Sequence, residues 1–320
     1  MKQQEFEQRY QSLWQQLEQT LDTKKDADLE QFPQQYRRVC HHLAIAKNRR
    51  YSPYLVDRLN HLVMKSHHRL YRHNARFNFQ ILRFLLFGFP QALRDNSRYV
   101  WSAIGLLFVP GLLMFLLCYA NDEIIYSLMS PEQVRQYESM YDPSARALGR
   151  ERESDTDIFM FGFYIKNNIS VSFQTFAGGM VFGLGSIFYL LFNGLLMGAT
   201  AGHLTQVGFT ETFFPFVVGH GAFELTAIAF SGAAGLKIGF ALIDPGPYSR
   251  LKALQHASRD AIKIIYGTTL MLVIAAFLEA FWSSSTTLTP NIKYSVGGVL
   301  WLLVILYCVF AGRGRVHGSE

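Results

Sequence analysis

FFPFVVGHGAFELTAIAFSGAAGLKIGFALI, residues 213–243, holds three ionisable side chains in an otherwise apolar run: His220, Glu224 and Lys237. As an α-helix this stretch would rise about 46 Å at 1.5 Å per residue, more than the roughly 30 Å hydrocarbon core of a bilayer. Working outward, comparable runs occupy 99–120, 176–201, 264–285 and 294–311. Each is about long enough to cross a membrane as a helix, which needs around 20 residues. The pattern reads as an all-α, polytopic helical membrane protein with five to six transmembrane helices.

The apolar runs lie almost entirely after residue 98. The chain is therefore expected to divide into a basic, cytoplasmic helical unit, residues 1–97, and a transmembrane unit, residues 98–312. No charged-then-apolar opening with a small-residue cleavage site begins the chain, so the first spanning helix is expected to direct insertion. Residues 1–98 carry 17 Lys and Arg against 9 Asp and Glu, whereas 121–157 carry 4 against 9. The positive-inside rule then places the N-terminus in the cytoplasm and the acidic loop 121–157 outside, as in a bacterial inner membrane. Arg250, Lys252, Arg259 and Lys263, and the tail with Arg313 and Arg315, also look cytoplasmic. Five crossings would put both groups outside; the conflict disappears if 158–175 also crosses or if part of 213–243 is re-entrant, and six crossings are the preferred reading. Lys166-Asn167-Asn168 stands against that segment unless it faces the bundle or a wet cavity.

His220 and Glu224 stand four residues apart, on one face of a helix, and a second intramembrane acid, Glu279, sits in the run 264–285. Each acid costs about 2.5–3.5 kcal/mol to insert at a helix centre, so both call for partners. The expected intramembrane polar, ion or proton site is His220, Glu224, Glu279, Asn193, Asn167 and Asn168. A metal version would use His220, Glu224, Glu279 and His203; the residues name no cofactor beyond such a bound cation. A plain structural reading, hydrogen bonds between helices, competes with both.

Other features are assigned mainly structural roles. Gly179 and Gly183, Gly194, Gly198 and Gly202, and Gly235 and Gly239 recur at four-residue spacing, which suits close helix packing and, by extension, a two-fold dimer. Ser231-Gly232-Ala233-Ala234-Gly235 is a candidate helix break, with Lys237 snorkelling beyond it. Phe6, Tyr10, Leu13, Trp14, Leu17 and Leu21 form one apolar helical stripe. Further helices are expected over 33–48 and from Ser52-Pro53 towards 79. Lys65, Arg69, Arg72 and Arg76 on the last of these suit anionic lipid headgroups rather than nucleic acid. His41, His42, His61, His67, His68 and His73 lack metal-ligand spacing, and Cys40, Cys118 and Cys308 are isolated. The loop 121–157 should hold a short helix near 131–141 and contains no nucleophile motif.

Asn167-Asn168, Phe173, Phe176, Gly178-Gly179, Gly183, Asn193-Gly194, Gly198, His220-Gly221, Glu224-Leu225, Gly232, Gly235 and Glu279-Ala280-Phe281 together resemble the stage II sporulation protein M family, also called DUF95. Arg50-Tyr51-Ser52-Pro53 and Leu59-Asn60 look like the form found in non-sporulating Gram-negative bacteria. In spore formers the family member is a polytopic scaffold for peptidoglycan-degrading partners. The resemblance thus implies an inner-membrane anchor linked to cell-envelope remodelling, with an envelope protein as partner and no established catalytic residues. A transporter, channel or lipid-moving protein using Glu224, Glu279 and His220 near the membrane centre is the second expectation. An intramembrane metalloenzyme is the third, and the reading leans against an enzyme.

Overall fold

A computed structural model describes residues 2–22, 32–144, 157–285 and 287–313; the side chains at 22 and 69–78 lie outside the described residues. Among the described residues the structure is helical, with no strand. By contact the chain forms two units, Met1–Arg83 and Phe84–Glu320. The boundary therefore falls ahead of the expected 97/98. The reason is Phe89, fully buried, whose ring fills the space left by the missing side chain of Gly267.

In the first unit, α1 (Gln3–Asp22), α2 (Phe32–Asn48) and α3 (Pro53–Arg83) surround a core of Phe6, Trp14, Leu17, Val39, Leu43, Leu55, Leu59 and Leu62. The apolar spacing on α1 produces this core, because residues three and four apart share a helical face. Trp14 Nε1 donates to His42 Nδ1 at 3.1 Å, so this buried imidazole acts as an acceptor and is neutral. Burial, then His41 and Arg38, hold the His42 pKa below its ordinary value. Gln3 and Ser52 exchange two 2.9 Å hydrogen bonds that join the starts of α1 and α3. Lys65 is exposed; the side chains of Arg69, Arg72, Arg76 and His73 lie outside the described residues.

The second unit contains α4 (Phe89–Asp95), α5 (Ser97–Ala120), α6 (Pro131–Tyr141), α7 (Asp157–Ala177), α8 (Leu184–Gln206), α9 (Thr210–Ile243), α10 (Arg250–Leu278) and α11 (Pro290–Phe310). Among the described residues five helices are long and apolar enough to cross a membrane: Ser97–Ala120, Leu184–Gln206, Thr210–Ile243, Arg250–Ser283 and Pro290–Phe310. Helix α9 is central and touches α5, α7, α8, α10 and α11. On α5, Leu112, Leu113, Leu116 and Leu117 are exposed, an outward apolar surface that suits lipid rather than water.

Helix order around α9 follows from the glycines. Gly194, Gly198 and Gly202 on α8 meet Leu107, Gly111 and Phe115 on α5 in the same sequence direction, so α5 and α8 run parallel. A chain that passes twice in one direction must return in between, and α7 makes that return. Its Met160 and Tyr164 lie beside Ala276 and Ala280, its Ser172 meets Ser231 at 2.5 Å, and the following Gly179 and Gly183 abut Gly235 and Gly239. Helix α7, about 30 Å long, therefore packs against the end of α10 with its first half and against α9 with its second. Its composition falls short of the other five because of Lys166, Asn167 and Asn168. Lys166 is exposed and Asn168 is buried.

Several sequence expectations are corrected. The run 176–201 does not start a helix at 176, because the chain turns at Gly178–Met180 and resumes at Leu184 after Gly183 (φ +82°). Helix α9 continues unbroken through 231–235: its small residues serve close approach, with a Cβ at Gly235 falling 2.2 Å from Ser186 Oγ. Lys237 pairs with Asp260 at 2.6 Å on α10 instead of snorkelling alone. Gly179, Gly183, Gly194, Gly198, Gly202, Gly235 and Gly239 are all used against backbone or side chains of this same chain, so they supply no surface for a second copy.

Candidate functional site

The site is built where the end of α10 meets the first half of α9. After Leu278 the helix widens into a π-helical turn, Glu279–Ser283, an irregularity that alters which side chains face α9. Gly219 on α9 makes the approach possible, since a Cβ there would sit 2.5 Å from the Trp282 ring. Next on α9 comes His220, with Glu224 stacked one turn beyond it at i+4. One ligand-type atom from each of His220, Glu224 and Glu279 lies within 4.8 Å of the other two. Two acids from separate helices and an imidazole thus converge inside the bundle.

Side chains beyond the triad fix its geometry. His220 is buried, and its Nδ1 makes a 3.0 Å hydrogen bond with Ser283 Oγ. Lys293, also buried, donates from Nζ to the Ser283 carbonyl at 2.7 Å, tying α11 to the same turn. The Phe216 ring meets the His220 ring edge-on at 5.4 Å. Tyr141, the last residue of α6, packs edge-on against Phe213 and Phe216. Burial, followed by the Glu279 carboxylate, Tyr164, Tyr137 and Glu224, pushes the Tyr141 phenol above its ordinary pKa.

A cavity of about 270 Å³ adjoins the triad, bordered by Tyr137 and Tyr141 of α6, Asn193 and Thr200 of α8, and His220 and Glu224 of α9. Helix α6 lies over it because its N-terminus is well made and its C-terminal half is anchored. Ser130 and Gln133 form a reciprocal capping box at the start. Glu138 Oε1 accepts from or pairs with His203 Nε2 at 2.8 Å, and Thr212 Oγ1 donates to the Tyr141 carbonyl at 2.5 Å.

The other residues expected at the site separate. His203 is nearly fully buried and engaged by Glu138, so it does not join the triad as the metal version expected. Asn193 donates to the Tyr189 carbonyl while bordering the cavity. Asn167 donates to Asn168 on α7, and Asn168 Nδ2 is buried without a hydrogen-bond partner among the described residues. Glu279 opens the last turn of its helix. Sequence reasoning missed Ser283, Tyr141, Glu138 and Lys293. Only Ser283 carried a signal: it stands four residues from Glu279, the same spacing as His220 and Glu224.

Residues 102–284 match the family Stage II sporulation protein M, from α5 through the turn that carries Glu279 and Ser283. The chain belongs to the stage II sporulation protein M family. The family region contains the complete triad and leaves out Lys293 and the first unit. Residues 4–72 match a second family, Domain of unknown function (DUF8413), which covers α1, α2 and most of α3. An uncharacterized protein of Methanocaldococcus jannaschii is 29% identical over 136 residues, 42% of this chain and 73% of that relative. No solved structure matches.

Proposed function

We propose that this member of the stage II sporulation protein M family is a scaffold of the bacterial inner membrane that holds partners engaged in cell-envelope remodelling. The observation that carries the reading is the anchoring of α6. A segment between two spanning helices is built onto the bundle through Glu138, Tyr141 and Thr212, and presents Glu132 and Arg135 as an exposed, ordered surface. On this reading the chain crosses six times, with α7 counted, and the basic N-terminal unit is inside and α6 outside. The six crossings also bring residues 244–249 and the tail after α11 to the cytoplasmic side with their basic neighbours, in accord with the positive-inside rule.

The test exchanges exposed α6 charges that do not touch the bundle. Glu132→Lys with Arg135→Glu is expected to reach the membrane at the wild-type level and yet fail to restore the envelope phenotype of a deletion strain. Full restoration by that variant would refute α6 as the docking surface.

The cavity beside His220 and Glu224 favours a second reading, passage or binding of an ion or small solute. Sealed vesicles holding the purified protein would then show pH-dependent flux that Glu224→Gln abolishes. Vesicles without flux of protons, cations or lipid remove that reading.

A further inference from the structure

We propose that His220, Glu224 and Glu279 form a binding site for one divalent transition-metal ion of the zinc class. This goes beyond the scaffold reading and does not rest on it.

The donor set has the composition such an ion takes: one imidazole nitrogen and two carboxylate oxygens. Zinc binds these at about 2.0–2.2 Å, which puts tetrahedral ligand atoms about 3.4 Å apart. The present limit of 4.8 Å exceeds that spacing by about 1.4 Å, a gap of the size that rotation about glutamate side-chain torsions would close. His220 and Glu224 already share a helical face, and Glu279 arrives from a different helix, so the ion would tie α9 to α10.

The second independent observation is the fixing of the histidine. Metal-ligating histidines almost always engage their other ring nitrogen with a partner, which sets ring orientation and tautomer. Here Nδ1 meets Ser283 Oγ at 3.0 Å, which would leave Nε2 as the ring nitrogen to turn to a metal. Ser283 is itself held through its carbonyl by Lys293. A hydroxyl that is both buried and braced is the kind of partner that keeps such a ring in place.

Charge points the same way. A divalent ion between Glu224 and Glu279 would neutralise two carboxylates that separate helices bring together. Three protein ligands leave a fourth position, and the cavity of about 270 Å³ beside His220 and Glu224 has room there for water or a small ligand. A harder ion such as magnesium prefers oxygen ligands and retained water, so the imidazole selects against it.

The experiment uses full-length protein in nanodiscs, purified with a tag free of histidine, stripped with chelator, reloaded with Zn²⁺ and desalted. The comparison is the double variant Glu224→Gln/Glu279→Gln, which keeps side-chain shape and all other histidines. Wild type is expected to retain about one equivalent more than the variant, as a preformed site should. Zn²⁺ should raise the melting temperature of wild type only, and Co²⁺ should give a tetrahedral visible absorption in wild type only. Ser283→Ala, with metal-free melting unchanged, should weaken binding roughly 10–100-fold, the usual effect of removing a histidine's orienting partner. Equal retention by wild type and variant, or Zn²⁺ without effect on wild-type melting, overturns the proposal. If wild type takes up no metal and the variant is the more stable, the acids share protons instead and the proposal also falls.

Discussion

Gly198→Ala tests the helix seam on which the fold of the membrane unit depends. A Cβ at this position would lie 2.0 Å from the Gly111 carbonyl oxygen, 2.8 Å from its carbon and 3.0 Å from its Cα. All three are backbone atoms of a packed helix and cannot rotate away. Restoring ordinary contact at about 3.4 Å means moving α8 from α5 by more than 1 Å. The same movement would loosen Gly194 against the Leu107 carbonyl and Gly202 against the Phe115 carbonyl, because they lie on one line. Inserting a methyl group into such packing costs about 1–3 kcal/mol, before the better helix propensity of alanine, about 1 kcal/mol, is set against it. Gly105→Ala is the matched control, since a Cβ there has nothing within 4 Å and gains the propensity alone. Thermal unfolding in detergent should therefore rank Gly198→Ala below wild type and Gly105→Ala level with it or above. Cys118, fully buried and beside Gly202, supplies a local readout: its labelling by a thiol reagent should quicken in Gly198→Ala. If Gly198→Ala is as stable as Gly105→Ala and leaves Cys118 protected, the parallel α5–α8 seam is wrong.

Three further expectations concern polar ties. Because the folded-state pKa of His42 is depressed, the stability it contributes is complete above the unfolded value, about 6.5, and declines as pH falls through and below it. Limited proteolysis of the full chain should cut the first unit faster at pH 5 than at pH 7.5, and His42→Gln, which keeps an acceptor for Trp14, should flatten that dependence. Asp260→Asn should destabilise the chain more than Lys237→Met does, because the first leaves a mostly buried ammonium without its carboxylate and the second leaves only a half-exposed acid; paired thermal melts give the order. Glu138→Ala should release α6, at a cost of about 1.5–3 kcal/mol for a hydrogen bond to a charged group. Hydrogen exchange over 131–141 would rise while the spanning helices stay protected, and unchanged exchange would show that Tyr141 and Thr212 suffice.

The sequence by itself determined the helices and their burial in lipid. Runs such as 213–243 have no other way to satisfy their backbone amides in hydrocarbon, so length and hydropathy dictate spanning helices whatever the neighbours do. The stripe on α1 and the proline and serine signals at Pro33, Pro53 and Pro131 are equally local, and helices begin beside each of them. The His220–Glu224 pairing was legible for the same reason, since an i to i+4 relation is a property of one helix.

What came only from the tertiary structure is everything that depends on two helices at once. Glu279 stands 55 positions from Glu224, and nothing local says that a π-helical turn aims it at α9 or that Ser283 comes with it. His203 looked like a possible ligand by type; the placement of α6, which no sequence period encodes, gave it to Glu138. The glycine spacing announced close packing without naming the partner helix, because a missing side chain fits any backbone until the alternatives are excluded by shape. The parallel run of α5 and α8 excluded them, and with that α7 became the return pass despite its Lys166, Asn167 and Asn168.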